Sequence, residues 1–197
     1  MDLPTRWDEP PWSAPLDPAS VIAAVPADAT MSGLFLAAVA DFASSAGHRL
    51  ERARERYVPF RRYPLREHCE LLVEACTRVM PRDPLRIALR RLGRGAPRTL
   101  VGSIVGRVVL GSVEGPLEIL RAMVKSYPLH MSPGTLEVVP LAPGRAVVRM
   151  RSIYHFLDSH NVGVMEGVLR YAGVEGSVRI HAHSERDADL LCEWSAR

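Results

Sequence analysis

The chain has 197 residues, of which 47% are hydrophobic and 24% charged, so it can bury a proper core and should form one domain, or at most two. Its three cysteines show no CxxC or metal-like spacing, which argues against a disulfide framework and is typical of a reducing cytoplasm. The N-terminus lacks the basic and apolar regions of a signal peptide, and no apolar run approaches the ~18 residues of a membrane span. We therefore expect a cytoplasmic protein with no membrane partner.

Positive charge is concentrated in one part of the sequence. Fourteen arginines and six acidic residues lie between Arg49 and Arg98, a balance of +8 in a chain whose total is +3. Basic clusters can mark a nucleic-acid surface, but no groove-reading motif accompanies this one. We interpret the arginines as solvated helix faces and do not expect a nucleic-acid partner.

Residues 1–30 are rich in Pro, Ala and Asp and show neither helical nor strand periodicity. We interpret them as a lead-in segment, partly irregular, before a single domain that spans 31–197. Trp7 and Trp12 are its large anchors, and their indoles could strap the segment onto the domain. The alternative is a tail that binds a partner.

Apolar residues then recur with the period of an α-helix as far as about residue 127. N-caps are expected at Ser32 and at Asp83, which precedes a proline. Arg86, Arg90 and Arg94 are expected on an outer, solvated helix face. The predicted helices cover about 32–46, 51–57, 64–79, 84–93, 97–108 and 116–127.

After Pro128, which should end the helical half, the period changes from helix to strand. Strands are predicted at about 135–139, 145–151, 176–183 and 190–194, with a helix over Asn161–Gly173 between the second and third. Helices followed by this ββαββ order define an α+β fold. We predict an N-terminal helical half (31–127) and a ββαββ half (128–197) with a four-stranded antiparallel sheet.

The predicted helix Asn161–Gly173 contains two glycines one turn apart, Gly163 and Gly167. Each costs roughly 1 kcal/mol of helix propensity relative to Ala, but bare backbone allows another element to approach closely. We predict that this helix packs closely on the flanking sheet at both glycines.

Six short stretches resemble the myxobacteria-restricted paralogous family of unknown function. They are Gly33-Leu-Phe, Glu55-Arg-Tyr-Val-Pro-Phe60, Tyr63-Pro-Leu-Arg-Glu-His68, Ala88-Leu-Arg-Arg-Leu-Gly93, Gly163-Val-Met-Glu-Gly167 and Leu191-Cys-Glu-Trp194. The resemblance covers about 30–195. It implies no activity, because that family has none assigned to it.

The order of elements is also similar to a wider superfamily. That superfamily joins the haem nitric-oxide/oxygen-binding domain, the four-vinyl-reductase domain and the transport-protein-particle subunits of Golgi traffic, and it has a helical half followed by ββαββ. The resemblance implies a cavity between helices and sheet that holds a haem, a small aromatic molecule or an acyl chain. It also implies a homodimer as one possible assembly, because the trafficking relatives are dimeric.

The haem branch of this superfamily uses a helix histidine as axial ligand and a Tyr-x-Ser-x-Arg motif that grips the propionates. Here the second strand reads Val148-Arg-Met-Arg-Ser-Ile-Tyr154, the helix Leu117–Tyr127 contains no histidine, and His130 lies just beyond it. The cysteine cluster of the four-vinyl-reductase branch is also missing. We therefore predict no haem, no other cofactor and no structural metal.

Eight side chains from both halves are our candidates for a ligand-binding wall, and none is assigned a catalytic or metal-binding role. They are Phe35, Tyr63, His68, Tyr127, His130, Tyr154, Met165 and Glu166. Among them, Glu166 would be informative if buried, because an unpaired buried carboxylate is costly and is usually functional.

Other polar groupings have simpler explanations. His181 and His183 share one strand face close to two aspartates, which could form a surface metal site but fits an exposed polar strand face better. Asp158-Ser159-His160 contains the residue types of a catalytic triad, yet neighbours in sequence do not have triad geometry, and a helix cap explains them.

Two further groups have both a chemical and a structural interpretation. Tyr63, Arg66, Glu67 and His68 could form a general acid–base site with His68 titrating near neutrality, but we favour structural hydrogen bonding. The cysteines at 69 and 76 fall on a buried helical stripe and fit small core hydrophobes better than reactive thiols.

The favoured function is a non-enzymatic small-molecule-binding or sensory module of this superfamily, without haem, that takes a small apolar or aromatic ligand. The alternative is a protein–protein interaction or scaffold domain with a filled core. An enzyme is not expected, because no catalytic motif is present. An apolar void of roughly 300 Å³ or more would favour binding, and a filled interior would favour the scaffold.

Overall fold

The computed structural model describes residues 3–12, 14–98 and 113–195. Its helices are α1 Pro18–Ala23, α2 Gly33–Ser45, α3 Leu65–Val79, α4 Leu85–Gly93, α5 Pro116–His130 and α6 His160–Tyr171. Its strands are β1 Thr30–Ser32, β2 Arg62–Pro64, β3 Met131–Ser132, β4 Thr135–Ala142, β5 Arg145–Arg151, β6 Gly176–Ala182 and β7 Ala188–Trp194. Within these residues, none of the helices has the length and apolar character needed to cross a membrane.

The larger sheet has four antiparallel strands in the order β4-β5-β7-β6. Its two central strands, β5 and β7, are buried along most of their length, and α6 packs against β6 and β7. The predicted α+β fold, with its ββαββ order and four-stranded antiparallel sheet, is confirmed.

A second, three-stranded sheet was not predicted. β1 pairs with both β2 and β3, and Met31 lies opposite Tyr63 and Met131. Strands of two or three residues are too short to show a period of two, so the sequence gives no signal for them. Because β1 leads into α2, β2 leads into α3 and β3 follows α5, this sheet holds the ends of three helices together.

The two predicted helix caps have different outcomes. Ser32 caps α2 as predicted, since its Oγ accepts a hydrogen bond from the backbone N–H of Leu34 at 3.4 Å. Asp83 is not the cap of α4, because Pro84 occupies that position. The Asp83 carboxylate forms an ion pair with Arg91 instead.

Two predictions about where helices lie are wrong. Residues 51–57 form no helix, because the Glu74 carboxylate accepts hydrogen bonds from the backbone N–H groups of Glu51 and Arg52 at 2.5 and 3.1 Å. Pro128 does not end α5, which continues to His130 and so loses only one backbone donor in its last turn. The predicted helix over 97–108 falls mostly outside the described residues.

Helices α4 and α6 cross in close contact, and glycines make this contact possible. A Cβ on Gly163 would collide with the backbone carbonyl of Arg90, and one on Gly167 would lie 2.5 Å from the carbonyl oxygen of Arg94. Gly93 faces the backbone of α6 from the other side. The prediction that these glycines pack on the sheet is therefore wrong, because the surface that approaches them is a helix.

The arginines of α4 point into this crossing. Arg86 forms an ion pair with Asp158, and Arg90 and Arg94 both bind Glu166. Their side chains are only 12%, 22% and 31% exposed. The prediction of an outer, solvated face is wrong here, because α6 covers that face of α4.

Two clusters of buried residues form the interior. One lies among α2, α3 and α4, and it contains Cys69 and Cys76 as predicted; the other lies between the larger sheet, α5 and α6. Phe35 and Tyr127 pack against both clusters. The boundary between the two clusters therefore passes between α2 and α5.

The lead-in segment lies against the rest of the chain. Asp8 exchanges two backbone hydrogen bonds with Ile180 of the edge strand β6, at 2.8 and 2.9 Å. The guanidinium of Arg90 lies 3.6 Å from the ring centroid of Trp12. Asp17 caps the short helix α1, which the sequence did not predict. These contacts favour the strap over a free tail.

Candidate functional site: a cavity with a histidine cluster

A cavity of about 370 Å³ lies at the boundary between the two buried clusters. α2 forms one wall through residues that recur at spacings of three and four, as one helix face requires: Phe35, Ala38, Val39 and Phe42. Other walls come from α5, β3 and α6: Met123, Ser126, Tyr127, His130, Met131, Val164 and Met165. Most of these side chains are apolar.

The cavity has an exposed rim and a buried inner end. Asp41 and Arg91 are exposed at the rim, whereas His68 and Met165 are only 2% and 1% exposed. Arg91 is held in its ion pair with Asp83. Among the described lining residues, carboxylates and guanidinium groups are therefore confined to the rim.

Three histidines, here called the histidine cluster, meet at the inner end: His68 from α3, His155 from the segment after β5, and His160 at the start of α6. The ring centroid of His68 lies 6.4 Å from that of His155 and 6.2 Å from that of His160, and the latter two are 6.1 Å apart. Each Nδ1 is buried without a hydrogen-bond partner. Such an atom costs roughly 1–3 kcal/mol, so the cluster calls for a functional explanation.

All three imidazoles are held in the neutral form. Burial lowers the pKa of His155 to about 3 and that of His160 to about 4, and it holds the pKa of His68 well below its ordinary value. The neighbouring imidazoles lower the pKa of His68 and His155 further. The acid–base interpretation, which was the less favoured one, needs His68 to titrate near neutrality, and its lowered pKa speaks against that interpretation.

Asn161 fixes the position of the segment that carries His155. Its Nδ2 donates a hydrogen bond to the backbone carbonyl of His155 at 2.7 Å, and both residues are buried. Phe156, the next residue, has a left-handed backbone with φ of 47°. Together these features turn the chain sharply into α6 and place His155 beside His160.

A fourth histidine, His130, borders the cavity at the end of α5. Both of its ring nitrogens are buried without a hydrogen-bond partner, and its ring packs edge-on against Phe35 with centroids 5.4 Å apart. Burial lowers its pKa, and the charge of Arg62 lowers it further. His130 is therefore also neutral and adds a second polar point to an otherwise apolar wall.

The structure brings five of the eight candidate residues to the cavity and leaves three elsewhere. The five that line it are Phe35, His68, Tyr127, His130 and Met165. The three that do not are Tyr63, Tyr154 and Glu166. These three do not line this cavity, and each has another set of contacts that explains its position.

Tyr63 packs edge-on against Tyr57 with ring centroids 5.1 Å apart, and its hydroxyl accepts a hydrogen bond from a loop backbone N–H. Tyr154 lies under the guanidinium of Arg186, at 4.8 Å from the ring centroid. Both are occupied by structural contacts outside the cavity.

Glu166 is buried but paired, so it does not mark a site. Burial by itself would raise the pKa of its carboxyl, but hydrogen bonds and charge from Arg90 and Arg94 outweigh burial and hold that pKa below its ordinary value. The carboxylate is thus an ionised structural partner in the α4–α6 crossing.

The other polar groupings do not assemble into reaction centres. Asp158 pairs with Arg86, so the triad types do not act together. Ser159 occupies the N-cap position of α6 as expected, but its hydroxyl makes no cap hydrogen bond. His183 lies beside Asp189, with Nε2 and Oδ2 3.2 Å apart. Across the described ranges, no three histidine, cysteine or carboxylate side chains are arranged to hold a metal ion.

His155, His160 and Asn161 were missed as site residues. They lie about ninety positions after His68 in the sequence, and no local spacing connects them. Two histidines, His155 and His160, lie close together within one loop and helix start, but only the fold shows that this segment meets α3.

Comparison with known proteins identifies the family. The family described as "Protein of unknown function (DUF2378)" matches residues 24–195. The chain belongs to this family. None of the curated proteins matches the DUF2378 chain in sequence.

Solved structures with a similar fold include H-NOX proteins. One from K. algicida, in the Fe(II) unliganded form, has a TM-score of 0.62 at 14% identity and covers 85% of this chain and 98% of its own. One from S. oneidensis, in the Fe(II)NO ligation state, has a TM-score of 0.62 at 14% identity and covers 84% and 100%. At such low identity the likeness shows the fold alone.

The described residues do not fit a haem. The two propionates of a haem need cations or several hydrogen-bond donors. The described cation at the cavity, Arg91, is paired with Asp83, and the polar groups at the inner end are neutral imidazoles. His130 has the ring nitrogens to ligate an iron, so the mismatch concerns the propionates.

Proposed function

We propose that this DUF2378 protein is a non-enzymatic module that binds a small apolar or aromatic molecule, and that it uses an H-NOX-like fold without haem. The observation that carries the proposal is the cavity of about 370 Å³, which falls within the usual range of ~300–1,000 Å³ for small-molecule sites. A scaffold with a filled core would not need such a void.

The position of the cavity supports a sensory role. Phe35 and Tyr127 border the cavity and pack on both buried clusters, so a ligand there would touch side chains that join the two halves of the interior. A ligand can shift a protein between two packings only if it contacts them differently. Residues shared by both clusters are the place where such a difference in contact would arise.

A second candidate function is protein–protein interaction, including a homodimer. Two large apolar side chains, Phe60 and Leu129, are each 61% exposed. Exposed apolar side chains of this size are typical of interaction surfaces when they are contiguous. Size-exclusion chromatography with light scattering tests this alternative.

The proposed function is tested by filling the cavity. Ala38 lines it from α2, so Ala38→Phe should occupy the space and raise the Kd for naphthalene, used as an apolar aromatic probe, by about tenfold or more. Ala40 is half-buried on the same helix but does not line the cavity, so Ala40→Phe is the matched control and should bind like the unmutated protein. Binding is measured by calorimetry.

Native mass spectrometry of the protein isolated from cells is the complementary measurement. A retained small molecule in the unmutated protein and its loss in Ala38→Phe would support the proposal. If naphthalene does not bind and no molecule is retained, the binding module is rejected in favour of the interaction domain.

A further inference from the structure

The inner end of the cavity combines features that a merely packed interior would not keep. His68, His155 and His160 are 2%, 3% and 7% exposed, and every Nδ1 in the group is buried with no hydrogen-bond partner. Phenylalanine or leucine at these positions would fill similar space without leaving a polar atom unpaired. Three such rings lie about 6 Å apart and line one void, which indicates that a polar partner comes from outside the chain.

Neutral imidazole has a particular hydrogen-bonding capacity. One ring nitrogen carries a hydrogen and donates, and the other accepts. A cluster of neutral imidazoles therefore offers donors and acceptors together. A group that can use both at once must itself donate and accept, as a hydroxyl or a primary amide does.

We propose that the cavity recognises its ligand by an uncharged head group that both donates and accepts hydrogen bonds, a hydroxyl or an amide, which is held by His68, His155 and His160. The inference rests on the proposed binding function and adds the chemical class of the ligand to it. The rest of the ligand is an apolar, aromatic-sized body that lies along Phe35, Val39 and Met165.

A charged head group does not suit the inner end. A carboxylate moved out of water is costly without a cation beside it, and the charged groups that border the cavity among the described residues, Asp41 and Arg91, lie at the exposed rim. An ammonium head would need a buried carboxylate, and the carboxylate that lines the cavity among the described residues, Asp41, is exposed.

A hydroxyl avoids both problems. It requires no counter-ion, and it can donate to one imidazole and accept from another at the same time. Because the site's own polar atoms remain unpaired when the hydroxyl is missing, the cavity should discriminate strongly against the purely apolar analogue.

Three probes with one ring system test the inference in the full-length protein: naphthalene, 2-naphthol and 2-naphthoate, measured by calorimetry at neutral pH. We expect 2-naphthol to bind about tenfold or more tightly than naphthalene, because it satisfies buried polar groups, and 2-naphthoate to bind most weakly. His155→Phe should bring the Kd for 2-naphthol close to that for naphthalene while leaving naphthalene binding nearly unchanged. His160→Phe is the second variant, and His48→Phe, at an exposed position outside the cavity, is the control.

The outcomes separate the two proposals. Equal affinities for naphthalene and 2-naphthol, or tightest binding of 2-naphthoate, would overturn the hydroxyl inference and leave the binding function standing. Failure of all three probes to bind would overturn both. If the histidine variants do not fold, the comparison of the three probes on the unmutated protein still decides the matter.

Discussion

The Nε of Arg90 donates a hydrogen bond to Oε2 of Glu166 at 2.8 Å, across the crossing of α4 and α6. Arg94 donates to the same carboxylate oxygen at 2.7 Å, and Arg90 also lies over the ring of Trp12. A single carboxylate thus links α4, α6 and, through Arg90, the lead-in segment. Because the Glu166 side chain is only 10% exposed, this pairing is shielded from water and should matter for stability.

Glu166→Gln should lower the free energy of unfolding by about 1–3 kcal/mol, because it leaves two partly buried guanidinium groups without their counter-ion. The matched control is Glu118→Gln, which removes an exposed pair with Arg121 and should change stability by no more than about 0.5 kcal/mol. Urea unfolding of both variants is the measurement. Equal effects in the two variants would contradict the structural role of Glu166.

Gly167→Leu should lower stability by about 1–3 kcal/mol or more, because the new side chain meets the backbone of Arg94. For a chain of this size that corresponds to roughly 2–4 °C in Tm per kcal/mol. Arg170→Leu, at an exposed position of the same helix, is the control and should have little effect. A rise in Tm for Gly167→Leu would mean that the α4–α6 contact is not as close as described.

Stability should fall as the pH drops from 6.5 towards 4.5. The unfolded chain binds protons at its histidines in this range, whereas burial keeps the pKa of His155 at about 3 and that of His160 at about 4 in the folded state. The free energy of unfolding therefore falls by up to about 1.4 kcal/mol per pH unit for each such histidine. Urea midpoints measured across this range test the prediction.

Carboxylates contribute only at the lower end of this window, from about pH 5 downwards. The pKa of Glu67 is lowered by hydrogen bonds from Arg54 and Tyr57 and by the Arg54 charge. Its contribution to the free energy of unfolding is therefore lost mainly as the pH falls below 4.5, the pKa of a glutamate in the unfolded chain. The double variant His155→Phe/His160→Phe should show a shallower decline between pH 6.5 and 4.5. An unchanged slope would show that these histidines are not buried as neutral groups.

The three thiols should resist alkylation in the folded protein. Burial raises the pKa of Cys69, Cys76 and Cys192 to about 12, and only the thiolate is a good nucleophile. Iodoacetamide at neutral pH should therefore label none of them until the chain is unfolded in urea. Mass spectrometry counts the labels, and rapid modification of any of the three in buffer would contradict their burial.

Protein purified from cells supplied with a haem precursor should show no Soret absorbance. The reason is the lack of free cations for propionates among the described lining residues, although His130 has the chemistry of an axial ligand. A Soret band at stoichiometric intensity that disappears in His130→Ala would overturn the haem-free assignment and would identify His130 as the axial ligand of the iron.

The sequence by itself determined the local elements and their order. Ser32 caps its helix through an atom two residues away, and Val178 and Ile180 are buried on alternate positions of one strand, so both features depend on near neighbours in the chain. The change from a helical period to a period of two likewise predicted the α+β fold and the four-stranded sheet. The hydrophobic pattern predicts that one face of a helix or strand is buried, but it does not predict which element covers that face.

Only the tertiary structure decided which element covers each buried face and which residues meet at the cavity. Gly163 faces α4 rather than the sheet, and Arg90 and Arg94 bind Glu166 rather than facing solvent, because both features depend on how two distant helices cross. His68 and His155 are more than eighty positions apart, and their rings meet only because α3 and the start of α6 border one cavity. Burial then lowers the pKa values of these histidines. Because burial is a property of the folded chain, the spacing of residues in the sequence does not predict it.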